Sequence, residues 1–384
     1  MDSVLDEPVV DTETDRLSSL PHDLIHHILS FMDMKYAVQT CVLSSKWKFI
    51  WTTLTHIKFS TSEFQQLGQF IRFARHVIAN RNDQTDVSSL EFNFDGTLSQ
   101  ILVKVLLNYV VSHNIRNLNI STFERDRKLP NCIFESQSLK HFTLKNIHED
   151  YCIAPQYPWD LPNLTTLHLN DFVISDGRNE NHEYLDLFSK CVNLKKLSIT
   201  ECYMSEVKVF KVSAPRLEDL TITDCFLNKL FISAPNLSSF VYGGECPLCL
   251  LTNGFQNLEK VDLHLPMPNP LSDFKKEDAF QLLKVLKEFH STKFINLYSD
   301  VIQGLSMNPD VLLYQPSPFN NLKHLNIRQV SHKGKYSMLM VPNHVKNYFL
   351  YSSPNATITT EVPKIKELGI GSYYEADQII NFDI

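Results

Sequence analysis

LKKLSITEC (residues 194–202) and LEDLTITDC (residues 217–225) share one pattern of apolar and polar positions. In both stretches leucine takes the first and fourth places, isoleucine the sixth and cysteine the ninth. Alternation of apolar and polar residues over a short run is typical of a strand with one buried face. Agreement over the whole length of two stretches indicates an internal repeat.

The same pattern recurs along most of the chain. Its first apolar residue stands at positions 139, 164, 194, 217, 237 and 258, which are 20 to 30 residues apart. This spacing brackets the roughly 20 to 29 residues of a leucine-rich repeat. The sequence therefore predicts an α/β solenoid. The clear copies are SLKHFTL (138–144), NLTTLHL (163–169), NLKKLSI (193–199), RLEDLTI (216–222), NLSSFVY (236–242), NLEKVDL (257–263) and NLKHLNI (321–327), with further copies expected at 87–92, 115–120 and 365–370.

Stacking explains why such strands repeat. In TTLHLND (165–171) the side chains of Leu167 and Leu169 point to one side of the strand, and that of His168 points to the other. A single strand cannot bury its apolar side alone, so we expect a curved parallel sheet on the concave face, with helices and loops on the convex face. Each buried leucine then contributes roughly 1.5 to 3 kcal/mol.

The outward side chains of these strands should line the concave face. They mix polar types with both charge signs, which suits a protein or peptide partner better than a polyanion. Solvation alone explains most single positions, because few residues dominate an interface. The predicted substrate-binding positions are His141, Thr143, Thr166, His168, Lys196, Ser198, Asp219, Thr221, Lys260, Asp262, His324, Asn326 and Arg328, and Asn117, Asn119 and Lys145 share their phase.

Composition narrows the function classes. The 384 residues are 43% hydrophobic and carry a formal net charge of −7, with no run of Lys or Arg. We therefore expect a folded protein that binds neither nucleic acid nor a membrane. The longest apolar run, residues 101–111, is too short to span a bilayer and contains Lys104.

The first fifteen residues contain six acids and neither Lys nor Arg. This composition predicts a disordered acidic tail over residues 1–15 and differs from that of a secretory signal. We therefore expect an intracellular protein, in the nucleus, the cytoplasm or both, whose eight cysteines are reduced. Cys202 and Cys225, at the strand ends, are interpreted as small buried residues.

The repeat loses its regularity between residues 264 and 321. A proline-rich segment at 265–273 and a loop at 308–319 flank EDAFQLLKVLKEFH (277–290), whose apolar spacing predicts a helix. Two long repeats and an inserted lobe both fit this pattern. Upstream, capping boxes at Ser62 to Gln65 and at Thr97 to Gln100 predict two helices on the convex side.

LSSLPHDLIHHILSFM (17–32) does not carry the repeat. After Pro21, which is well placed at a helix start, apolar residues recur every three or four positions and form one stripe. A second short helix is predicted around residues 36–43, and a third after Ser44 or Ser45. Three short helices bury little core by themselves, so their remaining apolar surface indicates a partner.

Residues 17–51 resemble the F-box, and the whole arrangement resembles the plant F-box/leucine-rich-repeat proteins. VKNYFLYSSPNATIT (345–359) is similar to the closing, FBD-related segment of that group. The resemblance divides the chain into a tail (1–15), an F-box (16–55) and a leucine-rich-repeat domain (56–384) that is irregular at 264–321. It rests on the Leu20-Pro21 pair, the doublets Leu24/Ile25 and Ile28/Leu29, the AVQTCVLS run (37–44) and Trp47.

The resemblance implies a subunit of a ubiquitin ligase without catalytic residues of its own. In that family the F-box docks on a SKP-type adaptor, which holds a cullin and a RING subunit, and the repeats present a protein substrate. The alternative is a repeat scaffold that assembles no ligase. The implied adaptor contacts are Leu20, Pro21, Leu24, Ile25, Ile28, Leu29, Val42, Leu43 and Trp47. Because an apolar helical stripe is more often core than interface, core packing stays open for each of them.

Sequence motifs for catalysis are weak. The chain has ten glycines and lacks both phosphate-binding glycine patterns and the H-E-x-x-H zinc motif. Cys246 and Cys249 form one C-x-x-C pair, but a structural zinc needs four ligands and no second pair follows. We therefore expect no cofactor, no metal and no catalytic site.

Overall fold

The computed structural model describes residues 16–17, 19–94, 100–122, 131–146, 152–154, 158–175, 184–205, 207–244, 249–265, 274–329 and 340–361. Four predicted features lie at least partly outside these residues. They are the acidic tail (1–15), the cap residue Thr97, Cys246 of the C-x-x-C pair and the expected last repeat copy (365–370).

The described residues form eight α-helices, four 3₁₀ turns and nineteen strands. The helices are α1 (His22–Ser30), α2 (Met34–Gln39), α3 (Leu67–Ala79), α4 (Gln100–Ser112), α5 (Lys276–Glu288), α6 (Ser299–Ser306), α7 (Pro309–Leu313) and α8 (Asn343–Leu350). The 3₁₀ turns are Thr40–Val42, Ile50–Thr53, Thr61–Glu63 and Asn131–Glu135. The strands are β1 (His56–Ser60), β2 (Ser89–Asn93), β3 (Asn117–Thr122), β4 (His141–Asn146), β5 (Cys152–Ala154), β6 (Thr166–Asn170), β7 (Phe172–Ser175), β8 (Leu185–Asp186), β9 (Lys196–Thr200), β10 (Tyr203–Ser205), β11 (Phe210–Ser213), β12 (Asp219–Thr223), β13 (Leu230–Ser233), β14 (Ser239–Gly243), β15 (Leu250–Thr252), β16 (Lys260–His264), β17 (Phe294–Tyr298), β18 (His324–Arg328) and β19 (Thr357–Glu361).

One parallel sheet of twelve strands organises the chain, in the order β1-β2-β3-β4-β6-β9-β12-β14-β16-β17-β18-β19. Its register is in phase, so that Leu167 lies beside Leu197 and Leu197 beside Leu220. The predicted α/β solenoid with a long parallel sheet is therefore confirmed. Between residues 264 and 321, β17 continues the sheet, so this region consists of long repeats and not of an inserted lobe.

Side-chain phase decides what each strand buries. In β6 the side chains of Leu167 and Leu169 are buried, whereas that of His168 is exposed. The buried leucines, isoleucines and phenylalanines of successive strands merge into one continuous apolar core. Cys202 and Cys225 are buried beyond the strand ends, where the Cys202 amide donates to Cys225 Sγ at 3.4 Å.

The middle repeats carry strands where helices and loops were expected. Besides the long sheet, the described residues form a three-stranded sheet, β10-β7-β5, and a four-stranded sheet, β15-β13-β11-β8. FKVS (210–213) and LFIS (230–233) alternate apolar and polar residues, and each buries two apolar side chains. Only the flanking repeats place helices there, with α3 and α4 at one end and α5 to α8 at the other.

The asparagine that opens several repeats fixes the spacing between turns. Asn163 Nδ2 donates to the carbonyl oxygen of Gln137 at 2.8 Å, and Asn193 Nδ2 donates to that of Pro162 at 2.7 Å. Asn236 and Asn257 bond in the same way to the preceding repeat, at 2.8 and 3.0 Å. These bonds satisfy carbonyl groups that the bend between strands leaves without a ladder partner.

The N-terminal module, residues 16–54, is less helical than predicted. Helix α1 begins after Pro21 as expected, and α2 follows Asp33. The predicted third helix is absent, because residues 45–49 form turns and a 3₁₀ turn covers Ile50–Thr53. The capping box at Ser62 was also wrong: α3 begins at Leu67, after Gln66, whose side chain makes no capping bond.

Polar contacts join this module to the first repeats. Lys35 Nζ donates to the backbone oxygen of Glu63, and the Tyr36 hydroxyl donates to the Glu63 carboxylate. The buried Arg81 guanidinium donates to the carbonyl oxygens of Trp51, at 3.2 Å, and Leu54, while Arg81 Nε donates to the Tyr109 hydroxyl at 3.0 Å. The module is therefore attached by buried and half-buried bonds.

No helix among the residues with assigned structure is both long enough and apolar enough to cross a bilayer. The segment at 101–111, too short by its sequence, lies within α4, and the buried side chains of Leu106, Tyr109 and Val110 pack into the core.

We predict that Asp33→Asn stabilises the fold at neutral pH. Burial raises the pKa of the Asp33 carboxyl to about 6, although the Lys35 amide donates to it at 2.9 Å. An acid whose pKa is higher in the folded state destabilises the fold once it ionises, so wild-type stability falls as pH rises from about 4 to about 6. Asparagine keeps the cap and removes the charge.

Urea unfolding followed by circular dichroism at several pH values measures this effect. Asp33→Asn should be more stable than wild type by about 1 to 2 kcal/mol above pH 6.5 and equal to it near pH 4. Asp310→Asn, which removes an exposed acid from α7, is the control and should show no such difference. An advantage of Asp33→Asn that grows toward pH 4 would contradict the assignment.

Candidate functional site

Helix α1 presents an apolar face to solvent. Leu24, Ile28 and Phe31 recur at four and three residues, which places them on one side of the helix. All three side chains are exposed, and Phe31 is 73% exposed. The rings of His27 and Phe31 meet edge to face at 4.9 Å between centroids, which fixes the end of this face.

The turns after α2 expose further apolar side chains. Val42, in the 3₁₀ turn Thr40–Val42, is 83% exposed, and Leu43 follows it. Phe49, in the turns that replace the predicted third helix, is 64% exposed. We define the N-terminal apolar surface as Leu24, Ile28, Phe31, Val42, Leu43 and Phe49. Six large exposed apolar side chains in so small a module are more than solvation explains.

Three of the predicted adaptor contacts lie in the core of the module. Ile25 and Leu29 occupy the inward face of α1 and are fully buried, and Trp47 is only 3% exposed. Leu20 is half-buried, its carbonyl oxygen accepts a hydrogen bond from Lys46 Nζ, and the exposed Pro21 caps α1. The core reading therefore describes the position of Ile25, Leu29 and Trp47.

Sequence reasoning missed Phe31 and Phe49. Phe31 continues the stripe of Leu24 and Ile28 one step beyond the helix, so its spacing was a usable signal. Phe49 had no such signal, because a helix was expected there and its outward direction follows from the turns that form instead.

The concave face of the long sheet carries the predicted substrate-binding positions in register. His141, Thr166, Lys196 and Asp219 lie side by side on β4, β6, β9 and β12. The next outward row holds Thr143, His168, Ser198 and Thr221. Lys196 Nζ lies 3.0 Å from Asp219 Oδ2, and the two side chains are substantially exposed.

Two predicted positions, Asp262 and Asn326, are covered by their neighbours and are buried. Asp262 Oδ2 accepts hydrogen bonds from Asn296 Nδ2 at 2.9 Å and from Arg328 Nη1 at 3.0 Å. Asn326 Nδ2 donates to Glu361 Oε2 at 2.9 Å.

His324 is also engaged on this part of the face, since its two ring nitrogens lie 2.6 and 3.0 Å from the hydroxyls of Thr357 and Thr359. Of the five predicted positions from β16 onward, only Lys260 makes no hydrogen bond or ion pair with its side chain among the described residues. This end of the concave face is a cross-strand polar network.

Metal chemistry has no visible seat within the described ranges, where no three His, Cys, Asp or Glu side chains are grouped to hold an ion. The scattered histidines have other neighbours. The His264 ring packs against Tyr298 at 4.2 Å between centroids, and burial lowers the pKa of His264. Burial also lowers the pKa of His168, and His141 and Lys196 lower it further.

Comparison with known families divides the chain as its geometry does. Residues 17–58 match the F-box domain, and residues 78–354 match the family described as At1g61320/AtMIF1, LRR domain. The second match covers well over half of the chain. The chain belongs to the F-box/leucine-rich-repeat proteins.

Similar proteins come from Arabidopsis thaliana. The F-box/LRR-repeat protein At3g59200 is 29% identical over 342 residues, which are 83% of this chain and 64% of that protein. The putative F-box protein At3g29830 is 24% identical over 87% of this chain and 75% of its own length. The putative F-box/FBD/LRR-repeat protein At4g13965 is 28% identical over 62% of this chain and 56% of its own length. The chain thus spans less than two thirds of the first and third of these relatives.

We predict that Trp47→Ala and Leu24→Ala differ in their effect on F-box stability. Trp47 is buried, so its loss leaves a cavity and should cost about 3 to 5 kcal/mol. Leu24 is half exposed on α1, so its loss should change stability by less than about 0.5 kcal/mol. Urea unfolding followed by far-ultraviolet circular dichroism measures both, and equal losses would show that Leu24 is packed as Trp47 is.

Proposed function

We propose that this F-box/leucine-rich-repeat protein is the substrate-recognition subunit of an SCF-type cullin-RING ubiquitin ligase. The observation that carries the proposal is the N-terminal apolar surface, six large side chains held outward while Ile25, Leu29 and Trp47 fill the module's own core. A SKP-type adaptor is the partner of stated chemistry, because the F-box domain matches over the residues that hold this surface.

The role of the chain would be positioning. An adaptor bound at the F-box connects it to the cullin and RING subunits, and a protein substrate held on the concave face is then kept near a thioester made by other proteins. Tethering of this kind raises the local concentration of substrate lysines without chemistry in this chain. We accordingly assign it no catalytic residue, and place the complex in the nucleus or the cytoplasm.

The rigid attachment of the F-box favours this role. Arg81 and Glu63, both in the first repeats, bond to residues at the two ends of the module, Lys35 and Leu54 among them. A module that presents a substrate gains from such a connection, because flexibility between the two surfaces would lower the effective concentration. The other function consistent with the architecture is a repeat scaffold that binds a partner but assembles no ligase.

We predict that Ile28→Asp abolishes capture of a SKP-type adaptor. Ile28 is 43% exposed at the centre of the α1 face, so a carboxylate there should leave the fold intact while placing an unpaired charge in an apolar interface. Co-purification of the two full chains should lose more than about tenfold of the adaptor. Val42→Asp, on the other part of the surface, should act in the same direction.

Phe280→Asp is the matched control, since Phe280 is also 43% exposed, and also on a helix, α5, far along the chain. It should capture the adaptor as wild type does. Circular dichroism of each variant confirms that folding is intact. Failure of well-folded wild-type protein to capture the adaptor, or equal capture by Ile28→Asp and wild type, would overturn the receptor assignment in favour of the scaffold.

A further inference from the structure

Three neighbouring strands of the long sheet contain no acidic residue. They are β3 (NLNIST), β4 (HFTLKN) and β6 (TLHLN), which pair directly in register. Their outward positions carry three basic side chains, His141, Lys145 and His168, all exposed, among asparagine, serine and threonine. Arg116 and Lys140, at the residues just before β3 and β4, are exposed beside them.

We call His141, Lys145, His168, Arg116 and Lys140 the cationic patch. Within the described parts of the chain, none of the five has an acidic partner within ion-pair distance. The nearest acids along the chain, Asp171 and Glu201, follow the ends of β6 and β9, and Asn170 donates to Glu201 at 3.2 Å.

Other cations of the same face are compensated. Lys58 pairs with Glu91 at 3.0 Å, Lys196 with Asp219 at 3.0 Å and Arg328 with Asp262 at 3.0 Å. Lys260 shares its strand with Asp262. In a protein with a net charge of −7, five basic side chains without acids on three adjacent strands are a local exception.

The surroundings of His168 show the lack of an anion. Half-buried by its neighbours, it faces His141 on β4 and Lys196 on β9, and all three influences disfavour its protonated form. A carboxylate placed among these side chains would relieve the repulsion and accept the hydrogen bonds that they can donate. The patch is thus electrostatically incomplete without a partner.

The size of the patch fits an extended peptide. Three strands span about 10 Å across the sheet, and five residues span about 17 Å along a strand. A duplex nucleic acid needs a longer track of cations than this. Thr143, Thr166 and Asn119 lie between the cations and offer hydrogen bonds to a peptide backbone.

We propose that the cationic patch binds a segment rich in aspartate and glutamate on the protein that the repeat domain recruits. This assignment rests on the proposed function, which gives the concave face a protein substrate. It names the substrate's recognition element by its chemistry: several carboxylates within five or six residues of extended chain.

Fluorescence anisotropy with the purified full chain tests the assignment. The probe is a labelled twelve-residue peptide of alternating aspartate and serine, and the reference peptide has asparagine in place of aspartate. We expect the acidic peptide to bind at least about tenfold more tightly, and its affinity to fall as salt is raised. Equal binding of the two peptides would overturn the proposal.

Charge reversal locates the binding. Lys145→Glu, at the centre of the patch, should weaken binding of the acidic peptide at least about tenfold. Lys284→Glu changes the net charge equally on the exposed side of α5, and should change the affinity less than about twofold. Equal effects of the two variants would show that net charge and not the patch governs binding, which overturns the proposal.

Two further measurements complete the test. Lys145→Glu should capture the SKP-type adaptor as wild type does, so failure of the patch and failure of the receptor function are separate results. A single-stranded oligonucleotide of equal charge should bind more weakly than the acidic peptide. Tighter binding of the oligonucleotide would assign the patch to nucleic acid and overturn the proposal.

Discussion

Each five-residue strand of the long sheet can bury its two apolar side chains only against neighbours that hold theirs in the same phase. A slip of one residue would turn Leu197 and Ile199 outward and Lys196 and Ser198 inward, at a cost no single repeat can bear. Parallel, in-phase stacking is therefore enforced at every step. The composition of the concave face follows directly, because parity alone decides which residues reach it.

The N-terminal module meets the same requirement with far less chain. Its core uses one side of α1, through Ile25 and Leu29, together with Trp47 and the first strand's neighbours. The opposite side of α1 has nothing within the module to cover it, so Leu24 and Ile28 stay in solvent. Too few residues to cover an apolar helix on both sides is a physical reason for the module to have a partner.

The two-residue period made the concave strands predictable, and the apolar stripe did the same for α1. Strands β1 and β17 were missed because HIKFS and FINLY lack the opening leucine of the repeat. The second sheets were missed because strands of two to four residues are too short for a periodic signal, although FKVS and LFIS both precede Ala-Pro. Burial of Asp262 was beyond sequence reasoning, since Arg328, which covers it, lies two strands away.

Because the sheet continues from β1 to β19, distance from the F-box is set by strand number. Adjacent strands lie about 4.8 Å apart, so β4 is about 14 Å from β1 and β18 about 48 Å from it. The cationic patch lies on the near strands, whereas the polar network around Asp262 lies on the far ones. A substrate held on β3, β4 and β6 would thus be anchored close to the F-box, and a rigid sheet would keep the rest of it within a narrow range of positions. Where along the solenoid a partner binds therefore matters as much as how tightly it binds.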